Sequence, residues 1–143
     1  MKLIPRTAEK ILNALSKSYP ALVVTGPRQS GKTTLTQIVF PNKLYVSLEE
    51  LDMRDFATND PRGFLNQYPD GAILDEVQRC PALFSYLQSR LDEDKRMGLF
   101  ILTGSQQFGL ISGISQSLAG RVAKISLLPF SLHELQETNK TPE

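Results

Sequence analysis

The chain has 143 residues, of which 41% are hydrophobic and 22% charged, and its formal net charge is +1. This composition is typical of one globular domain, and the small net charge gives no broad electrostatic reason to expect a nucleic-acid or acidic-membrane partner. The single cysteine, Cys80, cannot form an internal disulfide, and the N-terminal residues lack the apolar core of a signal peptide. No segment approaches transmembrane length, so we expect a cytoplasmic protein.

Helical periodicities and short apolar runs alternate along the chain. The prediction, in chain order, is a helix at 7–17, a strand at 21–25, a helix at 34–40, a strand at 43–48, helices at 49–57 and 61–67, a strand at 72–75, a helix at 81–92, a strand at 99–102, a weaker helical stretch at 106–118, a strand at 121–127 and a helical turn at 131–136. This alternation predicts an α/β fold with a mainly parallel sheet covered on both faces. We find no linker or repeat, so residues 1–143 are expected to form one domain.

A glycine-rich segment between the first predicted strand and the next helix fits the pattern G-x-x-x-x-G-K-[ST] of a phosphate-binding P-loop, or Walker A motif. A strand, a glycine loop and a helix in this order present backbone N–H groups to a phosphate at the helix N-terminus. The alternative is an ordinary glycine turn. The predicted nucleotide-binding residues are Gly26, Pro27, Arg28, Gln29, Ser30, Gly31, Lys32, Thr33 and Thr34.

The residue types in this loop suit a nucleotide and its metal ion. Gly26 and Gly31 allow a backbone that a Cβ would obstruct, and they leave room for a phosphate. The Lys32 ammonium is suited to the β- and γ-phosphates. The Thr33 hydroxyl is suited to Mg²⁺. The side chain of Arg28, inside the loop, could face either phosphate or solvent.

Two carboxylates follow the third predicted strand. The Asp75 side chain lies where open α/β sheets bind ligands, and it can hold Mg²⁺ as a Walker B aspartate does. Glu76 can polarise a water for attack on the γ-phosphate. The alternative is a solvated turn. The next residues lack the glycine of the Asp-x-x-Gly pattern that GTPases carry, and the chain has no Asn-Lys-x-Asp signature, so ATP is preferred over GTP.

The fourth predicted strand ends in Thr103-Gly104-Ser105. A polar side chain at this point resembles the sensor-1 position of related ATPases, which contacts the γ-phosphate or the attacking water. We select Ser105, with Thr103 as the alternative. A plain turn at the end of a strand is an equally good interpretation of these three residues.

Taken together, these motifs resemble the AAA-type ATPases of bacteria and archaea called AAA_14. The segments that carry the resemblance are Gly26–Leu35, Tyr45–Leu48, Asp60-Pro61, Leu74–Arg79 with Pro81, Leu102–Ser105, Leu118–Arg121 and Leu128–Leu132 with Glu134. The resemblance covers nearly the whole chain and implies a five-stranded P-loop NTPase sheet in the order 5-1-4-3-2. Because a DUF4143 domain usually follows this domain in the family, we expect only the N-terminal ATPase part here.

The resemblance adds one site residue. An arginine after Leu-Ala-Gly makes Arg121 a candidate sensor of the γ-phosphate, in cis or across a subunit interface; a surface role is the alternative. His133 has no evident partner and is expected to be solvated. A nucleotide, an unknown protein partner and, for a trans role of Arg121, a second copy of the chain are the partners considered; no membrane is expected, and nucleic acid is not indicated.

The resulting hypothesis is an Mg-ATP-binding domain that hydrolyses ATP, with Lys32, Glu76, Ser105 and Arg121 as catalytic candidates and Thr33 and Asp75 as metal ligands. An alternative is a nucleotide-gated interaction module with little turnover. A kinase acting on a small metabolite ranks lower, because the chain has no arginine-rich lid segment. Without the helical lid of the family, slow hydrolysis is expected.

Overall fold

The computed structural model describes residues 6–26, 31–105 and 118–127. The elements in these ranges are α1 (Arg6–Ser16), β1 (Ala21–Thr25), α2 (Lys32–Val39), β2 (Leu44–Ser47), α3 (Leu51–Asn59), α4 (Pro61–Asn66), β3 (Ala72–Asp75), a 3-10 helix (Val77–Arg79), α5 (Leu83–Glu93), β4 (Phe100–Gly104) and β5 (Val122–Ser126). Every strand predicted from the sequence is present, with ends that differ by at most two residues. The stretch 106–117 and the turn at 131–136 lie outside the described residues.

The five strands form one parallel sheet in the order β2-β3-β4-β1-β5. This is the order 5-1-4-3-2 implied by the family resemblance, seen from the other edge, so that prediction is confirmed. The register aligns Ala21 of β1 with Phe100 of β4 and with Val122 of β5. Because all five strands run in the same direction, their carboxyl ends meet at one edge of the sheet.

Apolar side chains cover both faces of the sheet, because successive residues of a strand point to opposite sides. One core cluster lies under α1 and α2 and comprises Leu12, Leu22, Val24, Leu35, Ile73, Ile101, Ala123 and Leu127. The cluster on the other face lies under α3, α4 and α5 and includes Ala21, Val23, Phe64, Leu74, Leu87 and Leu102. The result is the three-layer architecture that the apolar strands predicted. No helix among the described residues is long and apolar enough to span a bilayer.

The helices follow their predicted positions with small shifts at their ends. The helix predicted at 49–57 lies two residues later, at Leu51–Asn59. Asp60 caps α4 as expected, since its Oδ1 accepts a hydrogen bond from the backbone N–H of Gly63 at 3.0 Å. The helix predicted to open at Pro81 begins at Leu83 instead.

The late start of α5 has a local cause. The backbone N–H of Leu83 bonds to the carbonyl of Cys80, and that of Phe84 bonds to the carbonyl of Pro81. These are bonds to the third preceding residue, which characterise tight turns rather than an α-helix. Pro81 therefore lies in the turn that leads into the helix.

Candidate functional site

Gly26 and Gly31, the described residues at the two ends of the predicted loop, follow β1 and precede α2 at the carboxyl edge of the sheet. Gly31 has a φ of 86°, in the left-handed region, and immediately precedes α2. A glycine adopts this conformation without the penalty that a Cβ would bring. The backbone N–H of Gly26 bonds to the carbonyl of Gly104 at 3.1 Å, which ties the start of the loop to the end of β4. The exposed side chain of Thr34 follows in the first turn of α2.

The first turn of α2 contacts the end of β3. The Thr33 hydroxyl donates to Asp75 and lies 3.2 Å from its Oδ1 and 3.3 Å from its Oδ2. Asp75 is the last residue of β3 and is buried. The two residues predicted from separate motifs, 42 positions apart, are therefore in direct contact.

Thr103 of β4 forms hydrogen bonds with both the Asp75 carboxylate and the backbone of Glu76. Its hydroxyl donates to Asp75 Oδ1, and its Oγ1 accepts the backbone N–H of Glu76 at 3.2 Å. Thr103 is fully buried, whereas Ser105 lies just beyond β4 and is partly exposed. Of the two candidates for the sensor position, Thr103 is the one that the described hydrogen bonds join to Asp75.

Tyr45 of β2 is a site residue that the motif search missed. Its hydroxyl donates to Asp75 Oδ2. Burial of the hydroxyl, followed by its hydrogen bond to Asp75, raises the pKa of Tyr45 well above its ordinary value. A tyrosine hydroxyl is protonated at neutral pH in any case, so it acts as the donor in this hydrogen bond. No sequence signal identified this contact, because it depends on the pairing of Ser47 with Asp75 and on Tyr45 lying on the same side of β2 as Ser47.

Glu76 joins the end of β3 to the loop lysine. Its Oε2 lies 3.3 Å from Lys32 Nζ, with the two side chains 9% and 3% exposed. Its Oε1 accepts a hydrogen bond from Gln78 Nε2 at 2.7 Å. The Glu76 backbone has a φ of 59° and a ψ of 47°, the left-handed conformation that is uncommon for residues with a side chain. Such strain is concentrated at functional sites.

The donor set suits a magnesium ion held together with phosphates. Asp75 offers a carboxylate and Thr33 a hydroxyl, both hard oxygen ligands of the kind Mg²⁺ prefers. No group of three or more histidine, cysteine, aspartate or glutamate side chains that could hold a metal occurs among the described residues. A protein that binds Mg²⁺ through one or two side chains relies on substrate phosphates and waters for the remaining ligands. The residues present therefore fit this ion only beside a bound nucleotide.

Arg121 lies at the amino ends of the strands, opposite the carboxyl ends where the loop begins. Its carbonyl accepts the backbone N–H of Ala21, at the start of β1, and its guanidinium pairs with Asp92, with Nε 2.7 Å from Oδ1. From Ala21 the five residues of β1 separate this edge from the loop by roughly 17 Å, at about 3.3 Å per residue. In this structure Arg121 therefore lies far from the described ends of the loop of its own chain.

Five predicted positions cannot be placed. Pro27, Arg28, Gln29 and Ser30 of the loop lie outside the described residues, as does His133. The candidates that the structure does bring together are Lys32, Thr33, Asp75 and Glu76, with Thr103 and Tyr45 added to them.

Comparison with known proteins is consistent with this geometry. The sequence profile of AAA_14, described as an AAA domain, matches residues 18–136. The chain is 32% identical over 131 residues to Rv2008c of Mycobacterium tuberculosis, an uncharacterized protein; the match covers 90% of this chain and 29% of that protein. The chain thus spans less than a third of that relative's length.

Two solved structures share the fold. The Walker-type ATPase PABY2304 of Pyrococcus abyssi superposes with a TM-score of 0.65 at 15% identity, covering 99% of this chain and 60% of that one. The P-loop NTPase domain of a sigma-54 transport activator from E. coli gives a TM-score of 0.57 at 16% identity, covering 87% and 94%. At these identities the likeness concerns the fold alone. With the family match, it identifies the chain as a P-loop ATPase domain, a nucleotide-binding fold, that belongs to the AAA_14 family.

Proposed function

We propose that this domain binds Mg-ATP at the carboxyl edge of its sheet and hydrolyses it. The observation that carries the proposal is the contact between Thr33 and Asp75, because it brings a hydroxyl and a carboxylate suited to Mg²⁺ to the N-terminus of α2. Lys32 and the loop amides would bind the phosphates. When bound, Mg²⁺ would neutralise charge on the phosphate oxygens.

Glu76 is the residue we assign to activation of water. Its carboxylate is adjacent to Asp75 and lies within 3.3 Å of the Lys32 ammonium, so it is close to the position expected for the terminal phosphate. A positioned carboxylate can accept the proton of an attacking water. Glu76 can act on water only if its ion pair with Lys32 loosens. Phosphate binding would loosen it, because the Lys32 ammonium would then also compensate the charge of the phosphate.

Arg121 would act on a neighbouring copy of the domain. Arg121 lies at the amino ends of the strands, away from the loop of its own chain, and its side chain is 30% exposed. A contact with a phosphate bound to another copy is therefore the interaction that we propose. An arginine supplied in this way stabilises the charge of the transferring phosphate. The proposal therefore includes assembly of at least two copies during turnover.

Binding is tested with a fluorescent ATP analogue titrated with and without Mg²⁺. We expect Mg²⁺-dependent binding that Lys32→Ala abolishes. Lys43→Ala is the matched control, because Lys43 immediately precedes β2 and donates to the Asp70 carbonyl at 3.1 Å, far from the loop. Equal binding by the wild type and Lys32→Ala would refute the proposed phosphate site.

Hydrolysis is tested separately with Glu76→Gln. We expect this variant to bind ATP but to lose about 10²- to 10⁴-fold in turnover, the range that general-base catalysis contributes. A nucleotide-gated interaction module would instead bind ATP and show negligible turnover in the wild type as well. Phosphate release by the wild type, above a protein-free blank, distinguishes these two outcomes.

A further inference from the structure

The carboxylate of Asp75 receives hydroxyl donors from both strands that flank β3. Thr103 belongs to β4 and donates to Oδ1, while Tyr45 belongs to β2 and donates to Oδ2. Thr33 lies almost equally far from the two oxygens, at 3.2 and 3.3 Å, so it does not favour one orientation of the carboxylate plane. The two strand hydroxyls, one on each oxygen, therefore determine that orientation.

Such contacts matter because a ligand carboxylate must present its oxygens in a fixed direction. A partner that hydrogen-bonds to a ligand orients it, and loss of the partner typically costs about 10- to 100-fold in metal affinity or activity. A carboxylate has roughly four lone-pair sites for its partners. With the hydroxyls of Thr33, Thr103 and Tyr45 as its donors, the Asp75 carboxylate keeps capacity for a metal ion.

We propose that Tyr45 is a positioning residue of the magnesium site, which orients Asp75 from the edge strand β2. This inference rests on the proposed function, because it concerns the same site. It predicts that the tyrosine hydroxyl contributes to the affinity for Mg²⁺ but not to the contacts that bind the nucleotide itself.

The test measures binding of the fluorescent ATP analogue at fixed concentration while Mg²⁺ is titrated, and again in EDTA. Tyr45→Phe removes only the hydroxyl. Tyr86→Phe is the control, since Tyr86 lies on α5, away from Asp75. Its exposure of 38% is close to the 39% of Tyr45. Thermal melting of each variant verifies that the fold is intact.

For Tyr45→Phe we expect a Mg²⁺ midpoint about tenfold higher than that of the wild type, with unchanged binding in EDTA. Tyr86→Phe should match the wild type in both. An unchanged or lower midpoint for Tyr45→Phe would overturn the inference, and so would an equal loss of affinity in EDTA. A wild type that binds the analogue without any Mg²⁺ dependence would refute the proposed metal site, and the inference with it.

Discussion

The Lys32 ammonium lies 3.3 Å from the Glu76 carboxylate, and both side chains are almost completely buried. This ion pair joins the first residue of α2 to the residue that follows β3. Because both charges have left water, each depends on the other for compensation. Loss of either partner should therefore destabilise the ligand-free fold, and both partners are residues that we assign to catalysis.

Removal of both partners should cost less than the two single losses added together. We expect Lys32→Met to lower the free energy of unfolding by about 3 kcal/mol, because it leaves the Glu76 carboxylate buried and uncompensated. In Lys32→Met/Glu76→Gln no charge is buried, and the loss should be smaller than the sum of the single losses by about 1–3 kcal/mol. Urea unfolding of the four proteins measures this difference. Losses that add within about 0.5 kcal/mol would contradict the coupling.

Thr103 and Ser105 can be separated by their effects on stability and turnover. Thr103→Val removes the hydroxyl that joins Asp75 to the backbone N–H of Glu76 and leaves that buried N–H without its acceptor, which should cost about 1–3 kcal/mol. We also expect turnover to fall about 10-fold or more. Ser105→Ala should change stability by less than about 0.5 kcal/mol. A turnover defect found only in Ser105→Ala would reverse the assignment of the sensor position.

Gly71 and Gly120 offer a matched test of the turns that position the strands. Both have positive φ, at 84° and 79°, but a Cβ on Gly71 would lie 1.6 Å from the Leu99 carbonyl oxygen, whereas one on Gly120 meets nothing within 4 Å. Gly71→Ala should therefore cost about 3 kcal/mol or more, and Gly120→Ala about 1 kcal/mol. Denaturant midpoints measure both. Equal losses would mean that the turn before β3 relaxes away from β4.

Arg121 should act only in assemblies. We expect Arg121→Ala to lower turnover about 10³-fold while ATP binding persists, because the arginine stabilises the transition state across an interface. Arg96→Ala is the control, as Arg96 is 52% exposed and forms surface ion pairs with Asp70 and Asp94. Mixing Arg121→Ala with Lys32→Ala should restore part of the activity. The Arg121→Ala copy keeps an intact loop that binds ATP, and the Lys32→Ala copy supplies the arginine. Full activity of Arg121→Ala at every protein concentration would exclude this role.

The sequence predicted the fold well, because its signals are local. The apolar runs at Ala21–Thr25 and Ala72–Asp75 are typical of strands in a parallel sheet covered on both faces, and their observed bounds are the predicted ones. Strand order could not be obtained in this way, since spacing does not specify which strands are neighbours. It came from the family resemblance and was confirmed by the pairing of β1 with β4 and β5.

The site was predictable where a motif specifies residues and less so where contacts cross the sheet. Lys32 and Asp75 follow from patterns, but Tyr45 reaches Asp75 only because β2 pairs with β3 in one particular register. Similarly, the choice between Thr103 and Ser105 depends on which side chain points toward Asp75. Two positions at a strand end cannot be distinguished by residue type alone.

The most direct test of the account is a calorimetric titration of the wild-type domain with ATP in the presence of Mg²⁺. Saturable binding is expected, weakened at least about tenfold when EDTA replaces Mg²⁺, since the metal supplies much of the charge compensation at the phosphates. Lys32→Ala should give no measurable heat, and GTP should bind less tightly than ATP. Binding that is equally tight with and without Mg²⁺ and unaffected by Lys32→Ala would contradict an Mg-ATP site at this edge of the sheet.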